Sequence, residues 1–355
     1  MGSGDGGGVE TTLHQIAPAL MARGHKVAVV APAGSSLPAG VSVYEADGTP
    51  PRSAAVSDRF GPAAGTSAGV LEQMWRQAAA VSRQYDIIVA LTYDWLSYHL
   101  TPFLAAPVLH WISLPSCVDA VDRAIRHHYQ TAPESFAFVS RAQAATFPFV
   151  DVARARIIPG AVDIHQFRFS SDPDRMLIWV ARISPEKGLE DALRAAQMAG
   201  VPLHVCGKVQ DSAYWEKTWR AAAPGELVYH GLLSHERLAA LLGRAQAMLV
   251  TPKWVEAFGL VVLEALACGT PVIAYDRGGP PEILAGADCG FIVPPGDVGA
   301  MAAAISRIGE IRRADARRRA EVFSIEAMAV RVEGWIGTML RQPRMDAAQA
   351  AAAIV

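Results

Sequence analysis

The residues best suited to chemistry in this chain lie in one segment, Pro252-Lys253-Trp254-Val255-Glu256-Ala257-Phe258-Gly259-Leu260-Val261-Val262-Leu263-Glu264-Ala265. Glu256 stands ahead of a Phe-Gly pair and Glu264 lies inside an apolar run, eight positions on. That spacing is close to two helical turns, roughly 7.2 residues. A helix beginning at Phe258-Gly259 therefore puts Glu256 just before its N-terminus and Glu264 near the same face. The amides of a first helical turn have no partner within the helix and suit an anion such as a phosphate. An anion site beside two carboxylates able to hold hydroxyls fits a nucleotide joined to a sugar. The plainer reading is that Glu256 caps the helix and Glu264 is a half-buried carboxylate with a satisfied partner. Against it stand the strand-like residues 270–274 and the turn Asp276-Arg277-Gly278-Gly279-Pro280-Pro281-Glu282 that follow. A carboxylate without a task is also costly in so apolar a run.

A second group is Arg182 and Lys187, in Val180-Ala181-Arg182-Ile183-Ser184-Pro185-Glu186-Lys187-Gly188, directly after a strand-like run. Loops of this kind bind phosphates in α/β domains. Arginine offers a fork to two oxygens and lysine a point charge. The alternative is a solvated loop paired with Glu186 or Glu190. The opening Gly2-Ser3-Gly4-Asp5-Gly6-Gly7-Gly8 lets backbone approach a ligand, or is a flexible terminus; it lacks the preceding strand that a dinucleotide fingerprint requires. His110 is read as ending a strand, where it could reach a sugar hydroxyl, or as a core histidine bonded to backbone. Tyr93-Asp94-Trp95 follows another strand end and suits a planar, hydrogen-bonding acceptor, or is core. No metal constellation is evident: no Asp-x-Asp follows a strand, and His127 and His128 are adjacent and face different ways.

These groups need a scaffold, and the pattern of the chain supplies one. Strand-like runs at 27–30, 87–90, 108–112, 136–139 and 157–158 alternate with helical stretches near 10–23 and 68–83. After a polar break near 167–174 the pattern restarts, with strands expected at 176–180, 203–207, 227–230, 247–250, 272–274 and 290–294. This spacing predicts βα units on parallel sheets, hence two doubly wound α/β domains facing a cleft, with ligands beyond the carboxyl ends of the strands. The 355 residues suit two domains, and 51% apolar content can fill their cores. Lys and Arg number 32 against 34 Asp and Glu, a formal net charge of −2, which speaks against a nucleic-acid partner. The run Arg312-Arg313 and Arg317-Arg318-Arg319 reads as a solvated helix face. Four scattered cysteines read as buried thiols of a reducing cytoplasm. No signal peptide or membrane span is read; the apolar run at 258–274 carries Glu264 and Pro271.

In order along the chain, Gly6-Gly7-Gly8-Val9-Glu10, Ile158-Pro159-Gly160-Ala161-Val162-Asp163 with Phe167, Val180-Ala181-Arg182 with Lys187-Gly188, Glu256-Ala257-Phe258-Gly259 with Glu264, and Gly278-Gly279 with Glu282-Ile283 resemble the family-4 retaining glycosyltransferases of the GT-B fold. Within them, the segments Glu72-Gln73-Met74-Trp75, Tyr93-Asp94-Trp95-Leu96 and Thr251-Pro252-Lys253-Trp254 are most similar to the cyanobacterial UDP-glucose:tetrahydrobiopterin glucosyltransferases. The resemblance implies an N-terminal acceptor domain (1–167), a C-terminal nucleotide-sugar domain (168–324), a helix crossing back (325–342) and a tail (343–355). It implies Arg182 and Lys187 on the diphosphate, Glu264 on the ribose, and Glu256 with the Phe258 and Gly259 amides on the transferred sugar. Gly7 and Gly8 would face the diphosphate, His110 the sugar, and Tyr93, Asp94 and Trp95 the acceptor. UDP-glucose would be the donor and a pterin the acceptor, with retention and without metal or other cofactor. Such proteins begin with a strand ahead of the glycine loop; here it is expected to be missing, which would expose sheet edges. Other readings are a lipid or saccharide acceptor, a nucleotide-sugar epimerase, or a UDP-binding fragment without catalysis.

Overall fold

A computed structural model describes residues 7–49 and 69–341. The C-terminal tail and most of the glycine-rich opening lie outside them. The chain divides into two compact units, Met1–Pro159 with Met328–Val355, and Gly160–Ala327.

In the first unit, helix α1 (Gly8–Ala22) leads to the strands β1 (Ala28–Pro32) and β2 (Ser42–Ala46). Then come α2 (Val70–Val81), β3 (Ile88–Ala90), α3 (Trp95–Leu100), β4 (Val108–Ile112), α4 (Asp119–Thr131), β5 (Phe136–Phe138) and α5 (Arg141–Ala144). All pairings are parallel, but they form two pieces: β1 with β2, and β3-β4-β5. β1 and β3 do not pair. Between them lies a cavity of about 230 Å³ lined by Val29, Val30, Ile88 and Val89, with Leu13 and Trp75 from the helices above. β2 was not foreseen. Its side chains are largely exposed, so it lacks the continuous apolar run that marked the buried strands. Residues 157–158, expected as a strand, contribute only the isolated bridge Phe138–Ile157.

The second unit holds β6 (Leu177–Val180), α6 (Leu189–Ala199), β7 (Leu203–Cys206), α7 (Ser212–Arg220), β8 (Leu227–Tyr229), α8 (His235–Arg244), β9 (Ala247–Val250), α9 (Leu260–Ala267), β10 (Val272–Tyr275), α10 (Pro280–Leu284), β11 (Gly290–Val293), α11 (Val298–Ser306) and α12 (Arg313–Glu321). Its six parallel strands lie in the order β8-β7-β6-β9-β10-β11. Counted from β6 this is 3-2-1-4-5-6, the doubly wound dinucleotide-fold order. The central strands are apolar at every position because helices cover both faces; Leu177, Ile178, Leu249 and Ile273 are fully buried.

The last helix, α13 (Ile325–Leu340), belongs to the first unit from Met328 onward. Trp335 is fully buried and its Nε1 donates to the Glu134 carbonyl at 2.8 Å. Glu333 takes Arg23 Nε at 2.9 Å and lies 3.0 Å from His25 Nε2. No described helix is long and apolar enough to cross a membrane.

The arginine run is not a solvated face. Arg313 donates to the carbonyls of Ser170, Gly243 and Ala245 and to Thr270 Oγ1, at 2.6–2.9 Å. Arg317 reaches the Phe167, Ala267 and Ile164 carbonyls, and Arg319 those of Ile283 and Glu282. These carbonyls include the C-terminal ends of α8, α9 and α10, which have no acceptor-satisfying amides of their own. Only Arg312 and Arg318 point outward, both onto Asp315. A helix that presents three guanidinium forks inward welds three others by their ends, which sequence spacing alone does not reveal.

Candidate active site

In a sheet of this order the crevice lies beyond the carboxyl ends of the strands where the winding reverses. Here that point is between β6 and β9, which are neighbours. The loop after β6 carries Arg182 and Lys187, and the loop after β9 carries Glu256. Two groups of sequence candidates, far apart in the chain, are thus brought together by one strand pairing.

Each loop is fixed by close backbone packing. Gly188 has φ +69°, and a Cβ there would stand 2.1 Å from the Thr251 carbonyl oxygen. Thr251, 1% exposed, donates its hydroxyl to the Gly188 carbonyl at 2.8 Å and accepts from Trp179 Nε1 at 3.1 Å. The Lys253 amide donates to the Glu186 carbonyl at 2.8 Å, and Arg277 donates to the Lys253 carbonyl at 2.6 Å. Lys253 Nζ also donates to Glu190. On the far side the Gly279 amide donates to the Glu256 carbonyl at 2.8 Å, and a Cβ on Gly279 would meet Phe258 Cα at 2.5 Å. Gly278, φ +77°, would put one 2.2 Å from the Glu256 carbonyl oxygen. The two glycines after β10 therefore seat the Glu256 loop.

On this frame Lys187 Nζ lies 2.5 Å from Glu256 Oε2, with both side chains largely buried. The same oxygen accepts Trp254 Nε1 at 3.1 Å, and the lysine ammonium sits 4.7 Å from the centre of the Trp254 ring. Arg182 donates to Gln210 Oε1 at 2.6 Å and lies 4.0 Å from Glu186. Gly259 caps α9 with φ +97°, so Phe258 and Gly259 precede the open amides of its first turn. Glu264 sits on α9, partly accessible yet enclosed enough that burial pushes its carboxyl up to about 7. Sequence reasoning missed Thr251 and Trp254 as supports of the site. Trp254, two residues before Glu256, was the detectable one, as an indole that must find an acceptor when half-buried.

The candidates of the first unit are each held by neighbours within that unit. His110 is in the middle of β4, not at its end, and is 1% exposed. Its ring packs against those of Tyr98 and Phe136, centroids 4.6 and 5.2 Å away, and Nε2 is 3.0 Å from Thr101 Oγ1. Burial, then the neighbouring His128, holds its pKa well below the usual value. Tyr93 Oη donates to Asp122 at 2.7 Å and accepts the Cys117 and Val118 amides at 2.9 and 3.1 Å, so it ties down the start of α4. Asp94 caps α3 by accepting the Leu96 amide at 2.8 Å. Trp95 packs against the core around Tyr98 and Phe136. The Gly7 amide donates to Glu10 Oε2 at 2.7 Å, and Gly8 opens α1. None of these polar commitments could be read from residue type.

The match with known proteins runs along the same two halves. Residues 6–166 match the model of Glycosyltransferase Family 4, and residues 163–322 that of Glycosyl transferases group 1. The two matches run end to end, each over a little less than half of the chain. The fold is thus the two-domain α/β GT-B fold. The chain is similar to the D-inositol 3-phosphate glycosyltransferase of Rhodococcus erythropolis, 31% identical over 203 residues, or 51% of this chain and 45% of that protein. It is 32% identical to the glycogen synthase of Mycobacterium tuberculosis over 182 residues, 47% of this chain and 42% of the relative. The matches span less than half the length of these relatives. Among solved structures, HepE of Anabaena in complex with UDP and glucose superposes with a TM-score of 0.71 at 17% identity, over 95% of this chain and 97% of that one.

Proposed function

We propose that this chain transfers glucose from UDP-glucose to a small polar acceptor, with retention and without a metal. The observation that carries the donor half is the pairing of Lys187, on the loop that also carries Arg182, with Glu256 at the point where the sheet reverses. A diphosphate leaving group gathers negative charge as the glycosidic bond breaks. Fixed cations and the amides before α9 stabilise that charge where it develops. Arg182 and Lys187 thereby take the part a divalent ion would otherwise play. Glu256 accepts hydroxyls of the transferred sugar, and Glu264 those of the ribose. In this reading the acceptor attacks the same face of the sugar that the diphosphate leaves, giving retention.

For the acceptor, the segments at 72–77 and 93–96 favour a pterin such as tetrahydrobiopterin by their resemblance. With its hydroxyl committed to Asp122 and α4, Tyr93 serves the acceptor only by shaping the unit. His110, fully buried, acts through packing. The test is a metal-free assay of UDP release with UDP-glucose and, in parallel, tetrahydrobiopterin, inositol 3-phosphate and an α-glucan. Proton NMR of the product then gives the anomeric configuration. Release of UDP only with the pterin, as the α-glucoside, supports the whole reading. Turnover with another acceptor keeps the donor half and removes the pterin. An inverted product removes the same-face mechanism.

A further inference from the structure

We infer that the Lys187–Glu256 pair couples recognition of the donor's phosphate to recognition of its sugar, with Trp254 as the positioning residue that holds the pair closed. The inference rests on the donor reading above. Lys187 is assigned to phosphate and Glu256 to sugar hydroxyls, yet the two side chains are bonded to each other at 2.5 Å. A phosphate therefore competes with the Glu256 carboxylate for one ammonium. Two anions on one cation repel, and in a half-buried site the repulsion is weakly screened. The backbone after Lys187 is tied in place, because the buried Thr251 hydroxyl donates to the Gly188 carbonyl at 2.8 Å. Glu256 is equally held, through the Gly279 amide on its carbonyl and Trp254 Nε1 on Oε2. The exchange must happen in the side chains: Lys187 turns from carboxylate to phosphate, and the released carboxylate takes a sugar hydroxyl instead. A nucleoside diphosphate without its sugar bears the cost of opening the pair and recovers nothing from Glu256. A nucleotide sugar recovers it. The site thus discriminates intact donor from spent nucleotide, which favours release of product.

The experiment is calorimetric titration of UDP and of UDP-glucose into the wild-type protein, Glu256→Gln and Trp254→Phe. Glu256→Gln keeps the size and an acceptor for the indole but removes the competing charge. It should bind UDP about tenfold more tightly, about 1.4 kcal/mol, within the net worth of a hydrogen bond to a charged group. Its preference for UDP-glucose over UDP should shrink. Trp254→Phe keeps a ring against the ammonium and loses only the N–H. It should bind UDP about threefold more tightly. Trp254→Phe serves if Glu256→Gln does not fold. Wild-type binding of UDP with no tightening in the folded variants would overturn this inference alone. Absence of binding of both UDP and UDP-glucose to the wild-type protein would overturn it together with the donor reading.

Discussion

Lys187 Nζ lies 2.5 Å from Glu256 Oε2 although 69 positions separate the two residues. The contact exists because β6 and β9 are neighbours in the sheet, and their following loops leave it side by side. Removing the ammonium takes a fixed cation from the diphosphate. Lys187→Ala should lower turnover about 10²–10³-fold, the cost of one such electrostatic contact. Steady-state UDP release together with far-UV circular dichroism checks it; a folded variant with a near-normal rate removes Lys187 from catalysis.

Glycine 279 should be as necessary as the charged groups. Gly279→Ala drives a methyl into Phe258 Cα, and no flexible side chain can give way there. The Glu256 loop must shift, with a stability cost of about 1–3 kcal/mol. Activity should fall by far more than the folded fraction. Equal losses of both would mean that the loop tolerates the displacement.

Two titrations should act on stability in opposite senses. Burial raises the Glu264 carboxyl from 4.5 to about 7. Between those values the folded state holds the proton more firmly than the unfolded chain. Its contribution is therefore favourable in acid and lost as pH rises through 7. Glu264→Gln should abolish that fall, seen as the difference between the melting curves of the two proteins. The same carboxylate must be ionised to accept ribose hydroxyls best, so UDP affinity should rise across this window in the wild type and stay flat in the variant.

The buried histidines work the other way. His128 is lowered from 6.5 to about 4, chiefly by burial and then by His127, and His110 is lowered as well. Below pH 6.5 the unfolded chain takes protons that the folded one refuses, so stability drops as pH falls toward 4. The limiting slope is about 1.4 kcal/mol per pH unit for each such group. His128→Gln should flatten the acid limb, as read by denaturant midpoints at pH 4.5, 5.5 and 6.5. An unchanged limb would mean that His128 protonates freely in the folded protein.

Arg313 should matter for stability and Arg312 should not. Arg313→Ala strands several carbonyls and Thr270, at a cost on the order of 3 kcal/mol. Lysine should not rescue it, since a point charge cannot fill a forked site. Arg312 meets only Asp315 on the surface, and Arg312→Ala should leave the melting temperature unchanged. Thermal melts of the three variants decide it.

The sequence by itself determined the strands of the second unit, the last helix and the local placing of Glu256 and Glu264 around the start of α9. These follow from periods of two and 3.6 and from glycine at a turn, all expressed within a few residues. It also brought out Arg182 and Lys187, because a loop after a buried strand has few reasons to carry them. What only the tertiary structure decided is which polar groups are already engaged. Tyr93 and Asp94 hold helix starts, His110 is walled in by rings, and Arg313, Arg317 and Arg319 hold helix ends. The pairing of Lys187 with Glu256 is of the same kind. A hydrogen bond depends on an approach of about 3 Å, and residues distant in the chain reach that separation only through the order of strands and the packing of helices.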